Sequence, residues 1–196
     1  MVTRMAKLAV VGLCLTVLAV SARPAWAEDA FAKITGSAQG IILGDQPNIT
    51  SLPGSKDSVQ IFSTTFGLSV PQIVGGGGTT SGKPVASPVA LLKHFDRASP
   101  KLLRAAFTGE TLTVDITWFM SFQGTPRKTV TIRLDNALIT DIQAAADLNG
   151  STASGFENVT LTYGRITFST PIIDPATGQV TGTSSVCLEP ASGRAC

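Results

Sequence analysis

From Thr111 to Met120 the chain alternates almost without fault. Leu112, Val114, Ile116, Trp118 and Met120 share one parity, and Thr111, Thr113, Asp115 and Thr117 share the other. A period of two puts one set on a buried face, which predicts a half-buried strand. Gly124-Thr125-Pro126 turns the chain, and Thr129 to Ile142 runs back with Val130, Ile132, Leu134 and Leu138 on the core parity. Asn158 to Phe168 predicts another core strand, with Val159, Leu161 and Tyr163 inward and Gly164 as a bulge that shifts the phase to Ile166 and Phe168. Nearer the start, Phe31 to Thr35 is a short strand and Gly40–Leu43 a shorter one. Ser58 to Val70 changes phase, from Val59 and Ile61 to Phe62, Phe66, Leu68 and Val70, which predicts a bulge near Ile61-Phe62. Val85 to His94 carries Pro84 before it and Pro88 inside it, so it belongs at an edge or bears a kink.

One segment has helical spacing. Ser99 is placed to cap a helix that runs to Thr108, with Pro100 at its first position and Gly109 as a left-handed stop. Leu102, Leu103, Ala106 and Phe107 form the expected apolar face. So short a helix must lean on a sheet. The connections are rich in turn formers: residues 37–57, the run Gly75-Gly76-Gly77-Gly78, and Asp147 to Gly155. Six or seven strands and one short helix predict a mainly β domain, a small antiparallel two-sheet barrel or sandwich with the helix at its side. Pro171 to Cys196 shows little periodicity and reads as a loosely ordered tail.

The start of the chain has a different pattern. Arg4 and Lys7 precede Leu8 to Val20, 13 residues without a charge, and Ala25-Trp26-Ala27 is a small-x-small cleavage site before Glu28. This predicts a signal peptide over residues 1–27, with cleavage between Ala27 and Glu28. A membrane anchor is the alternative, but a span needs roughly 20 apolar residues. The domain plan is then 1–27 leader, 28–170 barrel and 171–196 tail.

Composition narrows the function. Of 196 residues, 14% are charged and 43% hydrophobic, and the net charge is +2. Removing Arg4, Lys7 and Arg23 with the leader leaves 12 basic against 13 acidic residues, net −1. Nothing then holds a phosphate backbone, so no nucleic-acid partner is expected, and none in the membrane once the leader is gone. One His and two Cys outside the leader leave no zinc set. An exported chain favours a bond between Cys187 and Cys196 across LEPASGRA, with two free thiols as the alternative. His94, Asp96 and Ser99 fall within six residues and are the residue types of a nucleophile and its base. Capping explains Ser99 and Asp96, and packing explains His94, so no catalytic residue is assigned. The glycine run lacks the Lys-Ser/Thr of a phosphate loop, and no metal or cofactor is expected.

In their order, several segments resemble the haemolysin-coregulated protein family, the tube subunits of bacterial type VI secretion systems. They are Phe31-Ala32-Lys33-Ile34 with Gly36, Phe66-Gly67-Leu68-Ser69, the Gly75–Gly78 run with Gly82-Lys83, and Lys93-His94-Phe95-Asp96-Arg97-Ala98-Ser99-Pro100-Lys101-Leu102. Thr108-Gly109, Leu112 to Ile116, Val130 to Leu134 and Glu157 to Leu161 continue the likeness, which spans about residues 31–170. It implies a two-sheet β-barrel with one side helix, assembled as a homo-hexameric ring. Rings of this kind stack into a tube or carry effector proteins, next to spike and sheath components. Gly75, Gly76, Gly77 and Gly78 would form the loop facing the next ring. Asp96, Ser99, Pro100, Leu102 and Gly109 would form a structural junction at the helix. A monomeric binding module on the same barrel, periplasmic or secreted, is the competing reading. The leader, the 37–57 segment and the cysteine-bearing tail depart from the family pattern.

Overall fold

A computed structural model describes residues 29–50, 52–75, 78–122, 125–147 and 154–196; the leader, with Ala27 and Glu28, lies outside them. The elements are β1 (Asp29–Gly36), β2 (Gly40–Ile42), β3 (Val59–Ile61), β4 (Ser63–Thr65), β5 (Leu68–Ser69), β6 (Gln72–Gly75), β7 (Gly78–Ser81), β8 (Val85–Ala86), β9 (Val89–His94), α1 (Ser99–Thr108), β10 (Leu112–Phe122), β11 (Thr125–Asp147), β12 (Ser154–Thr162), β13 (Arg165–Ile173), β14 (Val180–Glu189) and β15 (Arg194–Ala195).

The alternating segment around 112–134 becomes β10 and the first half of β11, paired antiparallel from Leu112↔Ala137 to Phe122↔Thr125. β11 is 23 residues long and outruns one sheet. Its first half pairs with β13 and its second half with β12. The bend falls at Asn136, where φ is +52°, and opposite it at Gly164. The Gly164 N–H donates to the carbonyls of Asp135 and Asn136, and a Cβ at 164 would stand 3.2 Å from that of Asn136. Gly164 is therefore the break between β12 and β13 rather than a bulge within one strand.

β12 pairs with β9, and β9 with β4. On the other side β10 pairs with β1, and β1 with β2 and β3. Between β3 and β4 stands Phe62, whose N–H donates to the Leu92 carbonyl at 2.8 Å. The path of paired strands therefore returns to its start, β1–β10–β11–β12–β9–β4 and back through β3, as a barrel of two antiparallel sheets requires. Its interior is filled by Ala32, Ile34, Val59, Val89, Leu91, Val114, Ile116, Ile132, Leu134, Val159 and Leu161.

Where the pattern misled, a covering loop, a bend or a departure from the barrel is the reason. The pairing shift between Trp118 and Phe119 falls on β11, where Thr129 is left over, and β10 keeps its alternation against β1. Phe119 is buried all the same, on the outer face with Phe31 beneath Ile49 and Leu52, while Met120, on the parity of Trp118, is half exposed. Beyond the Asn136 bend, Ala137 and Ile139 are buried and Leu138 is exposed. Val59 and Ile61 are buried, but Phe62, Phe66, Leu68 and Val70 all lie exposed. The segment read as one strand splits at Phe62 and then leaves the barrel for the two-stranded ladders β5–β8 and β6–β7. The segment from Pro171 onward is not a loose tail. β13 runs on to Ile173 and β14 pairs along it, from Ile166↔Leu188 to Ile173↔Val180. A strand rich in Thr and Ser needs no apolar periodicity when it lies at a sheet edge.

α1 packs Leu102 and Ala105, with Ala98 before it, into the core against β11. The buried spacing 98, 102, 105 is helical but rotated from the expected face, so Leu103 is exposed and Phe107 is 92% exposed. Ala98, in right-handed helical conformation, stands at the N-cap and offers no side-chain bond, and Ser99 is the first helical residue. Gly109, at φ +65°, ends the helix, with its N–H on the Ala106 carbonyl and that of Glu110 on the Ala105 carbonyl. Glu110, buried, accepts the N–H groups of Ala38 and Gln39 at 2.7 Å each and the Gln39 side-chain amide at 2.7 Å. Chiefly the Gln39 backbone N–H holds its carboxyl below the ordinary range, against the upward push of burial and with help from Ala38 and Arg104. A depressed folded value contributes stability above the unfolded value of about 4.3, lost as pH falls through the folded one. Glu110→Gln should cost about 1–3 kcal/mol at pH 7 and flatten the fall in stability below pH ~4. Urea unfolding of both chains across pH 3–7 checks it.

Candidate functional site

Strand parity decides the junction between β9 and α1. In β9, Val89, Leu91 and Lys93 point inward, while His94 is exposed. Lys93 is 1% exposed. A buried ammonium needs acceptors, and the turn supplies them. Lys93 Nζ donates to the His94 carbonyl at 2.6 Å, Asp96 Oδ1 at 2.8 Å and Ser99 Oγ at 3.0 Å, and also to Glu157 Oε1. Glu157 stands directly opposite Lys93 in the β9–β12 ladder. Ser99 Oγ accepts the Asp96 N–H at 3.1 Å and donates to Glu157 Oε1 at 2.6 Å. Asp96 Oδ1 also accepts the Ala98 N–H at 3.0 Å. Arg97 reaches the other way, to the Gly44 carbonyl and Asp57 at 2.6 Å each, and ties down the loop after β2.

These contacts explain why Ser99 is not the helix cap: its oxygen is engaged by Lys93, Asp96 and Glu157. They also separate the residues considered for catalysis. Asp96 and Ser99 meet, but His94 lies on the outer face, its ring 4.5 Å from Phe62 and stacked 4.2 Å from Phe156. An ammonium whose donors all face acceptors has no lone pair to offer Ser99 as a base. Sequence reasoning missed Lys93, Glu157 and Glu110. The signal was present: Lys93 shares the inward parity of Val89 and Leu91, and Glu157 that of Val159 and Leu161. Among the described residues no cluster of three His, Cys, Asp or Glu side chains could hold a metal.

The glycine run lies in a separate arm. β6 and β7 pair from Gln72↔Ser81 to Gly75↔Gly78, and Gly76 and Gly77 fall outside the described residues. Paired glycines at the end of a ladder are compatible with a tight hairpin, although the sequence suggested no ladder there. The root is closed by the Gly82 N–H on the Pro71 carbonyl at 2.7 Å. Beside the root, Cys187 and Cys196 are joined by a disulfide, with Cα atoms 5.2 Å apart. The arrangement is that of a barrel with a separate two-stranded arm and buried polar ties at its helix.

Residues 31–169 match the family model described as "Type VI secretion system effector, Hcp". A curated relative, the "Major exported protein" of Pseudomonas aeruginosa, is 34% identical over 169 residues, covering 81% of this chain and 93% of its own. The solved structure of the secreted protein Hcp3 from Pseudomonas aeruginosa is 30% identical with a TM-score of 0.54, covering 81% of this chain and 97% of that one. A type six secretion system protein superposes with a TM-score of 0.71 at 17% identity, over 87% of this chain and 100% of that one, which shows the shared fold. The chain belongs to the Hcp family of type VI secretion, a family of tube-type structural proteins.

The junction predicts an order of mutational costs. Lys93→Met leaves two carboxylates facing each other without their cation and should cost about 3–5 kcal/mol. Phe107→Ala, on the open side of α1, should change monomer stability by less than about 0.5 kcal/mol. Denaturant midpoints of the two variants test both, and equal costs would contradict the assignment of the buried face.

Proposed function

We propose that this chain is a ring-forming structural subunit, exported through a cleaved leader, whose homo-hexameric rings stack or carry effector proteins in the periplasm or outside the cell. The observation that carries the reading is the family match over residues 31–169, which spans the whole barrel and its arm. A closed ring uses heterologous contacts, so each subunit must offer two different faces. The arm at Gln72–Ser81, which forms a two-stranded sheet of its own, is read as one such face. The glycine run Gly75, Gly76, Gly77 and Gly78 is the proposed contact with the next ring. Spike and sheath components are the further partners of this reading.

Export rests on the leader pattern: Arg4 and Lys7, the uncharged Leu8 to Val20, and Ala25-Trp26-Ala27 before Glu28. The names of the two Pseudomonas aeruginosa relatives, one exported and one secreted, support it. The plan is then a leader over 1–27, a barrel over 28–170, and a C-terminal hairpin in place of the expected loose tail.

Native mass measurement at micromolar concentration tests assembly. Six times the subunit mass is expected, and a monomer throughout would favour the binding module. N-terminal sequencing of the secreted protein is expected to begin at Glu28. An intact Met1 would overturn export through a cleaved leader.

A further inference from the structure

The disulfide lies outside the family match, and assembly by itself gives it no task. Residues 187–196 form a closed loop: β15 folds onto Leu188 and Glu189, the Gly193 N–H donates to the Glu189 carbonyl at 2.9 Å, and the Cys196 N–H to the Cys187 carbonyl at 3.0 Å. The loop rests on the root of the arm. Lys83 Nζ donates to the Ala191 carbonyl at 2.6 Å, and a Cβ on Gly193 would stand 3.3 Å from Lys83 Cε. Lys83 directly follows Gly82, the residue whose N–H closes that root on Pro71. Beneath the loop is a cleft of about 90 Å³ lined by Leu68, Ala86, Leu188 and Ala195 among others. The loop is thus not held by a filled core. The start of the loop is held by the pairing of Cys187 and Leu188 with β13 and by Arg165 on Glu189. Its far end, toward Ala191 and Cys196, is held by a two-residue ladder, the Lys83 contact and the covalent bond.

We propose that the Cys187–Cys196 bond is a redox-controlled latch that fixes the root of the 72–81 arm and so makes the arm competent for assembly only after oxidation. The proposal rests on the reading of the arm as an assembly contact. The bond forms by exchange with a disulfide-bearing oxidant, a thiol oxidoreductase or a small disulfide. One cysteine thiolate attacks the oxidant's S–S bond and releases one thiol, and the other cysteine then displaces the second. Two electrons pass to the oxidant and the two protons end on its thiols. Before export the thiols stay reduced and the loop is free to leave Lys83; in an oxidising compartment it is locked there.

Hydrogen exchange of residues 68–86 in the full chain tests the latch, comparing the oxidised protein, the dithiothreitol-reduced protein, Cys196→Ser, and Lys83→Ala with its disulfide intact. About fivefold faster exchange at the arm root is expected in the last three, the loss of one ordinary hydrogen bond. Unchanged exchange in all three, or faster exchange confined to residues 187–196, overturns the latch. Native mass of the oxidised and reduced chains separates the two readings. Assembly of the oxidised chain alone supports the control; equal assembly of both overturns the control and leaves the ring; assembly of neither overturns the ring and the control with it.

Discussion

A strand of 23 residues cannot lie flat in one sheet of this size, and β11 does not. It serves one sheet with its first half and the other with its second, and everything else is arranged around its bend at Asn136. The right-handed twist of paired strands accumulates along it, and the bend releases that twist at one place. Gly164 allows the neighbouring chain to follow, because a side chain there would meet Asn136. With the two sheets joined along β11, the small crossing from β3 to β4 at Phe62 is enough to close the other side. Closure covers edges that would otherwise pair with other chains.

Polar groups, not only apolar area, hold the helix in its place. α1 buries Leu102 and Ala105, a small payload for a helix of 10 residues. At its start Lys93, Asp96, Ser99 and Glu157 share one buried network, and beyond its end Glu110 holds the turn between β1 and β2. Such networks specify position sharply, because a half-satisfied buried charge is costly. The helix is thereby tied to β9, β12 and the β1–β2 turn at once, while the face with Leu103 and Phe107 is left open.

The segments outside the closed path carry the specialised parts. The β6–β7 arm and the β14–β15 hairpin are both additions to the barrel, and they meet at Lys83 and Ala191. Neither contributes much to the barrel's buried interior, and loops and edges tolerate change better than packed interiors. That division fits a family in which one barrel is reused for assembly.

Local pattern was enough for the β class, the single helix between Ser99 and Thr108, the strands at 31–35, 112–116 and 130–134, and the likeness that leads to Hcp. Each rests on periodicity or on a short run of residue types, which a sequence displays directly. Tertiary structure decided the rest. It buried Phe119 on the outer face of β10, because the loop carrying Ile49 and Leu52 folds over Phe31 there, and no strand periodicity shows where a distant loop will lie. It made the last 26 residues a paired hairpin, because a ladder is satisfied by a neighbour's backbone and asks no apolar stripe of its own strand. It exposed Phe107 and buried Lys93, because burial depends on what lies opposite: open space beyond one helix face, and the carboxylate of Glu157, 64 positions away, across one ladder.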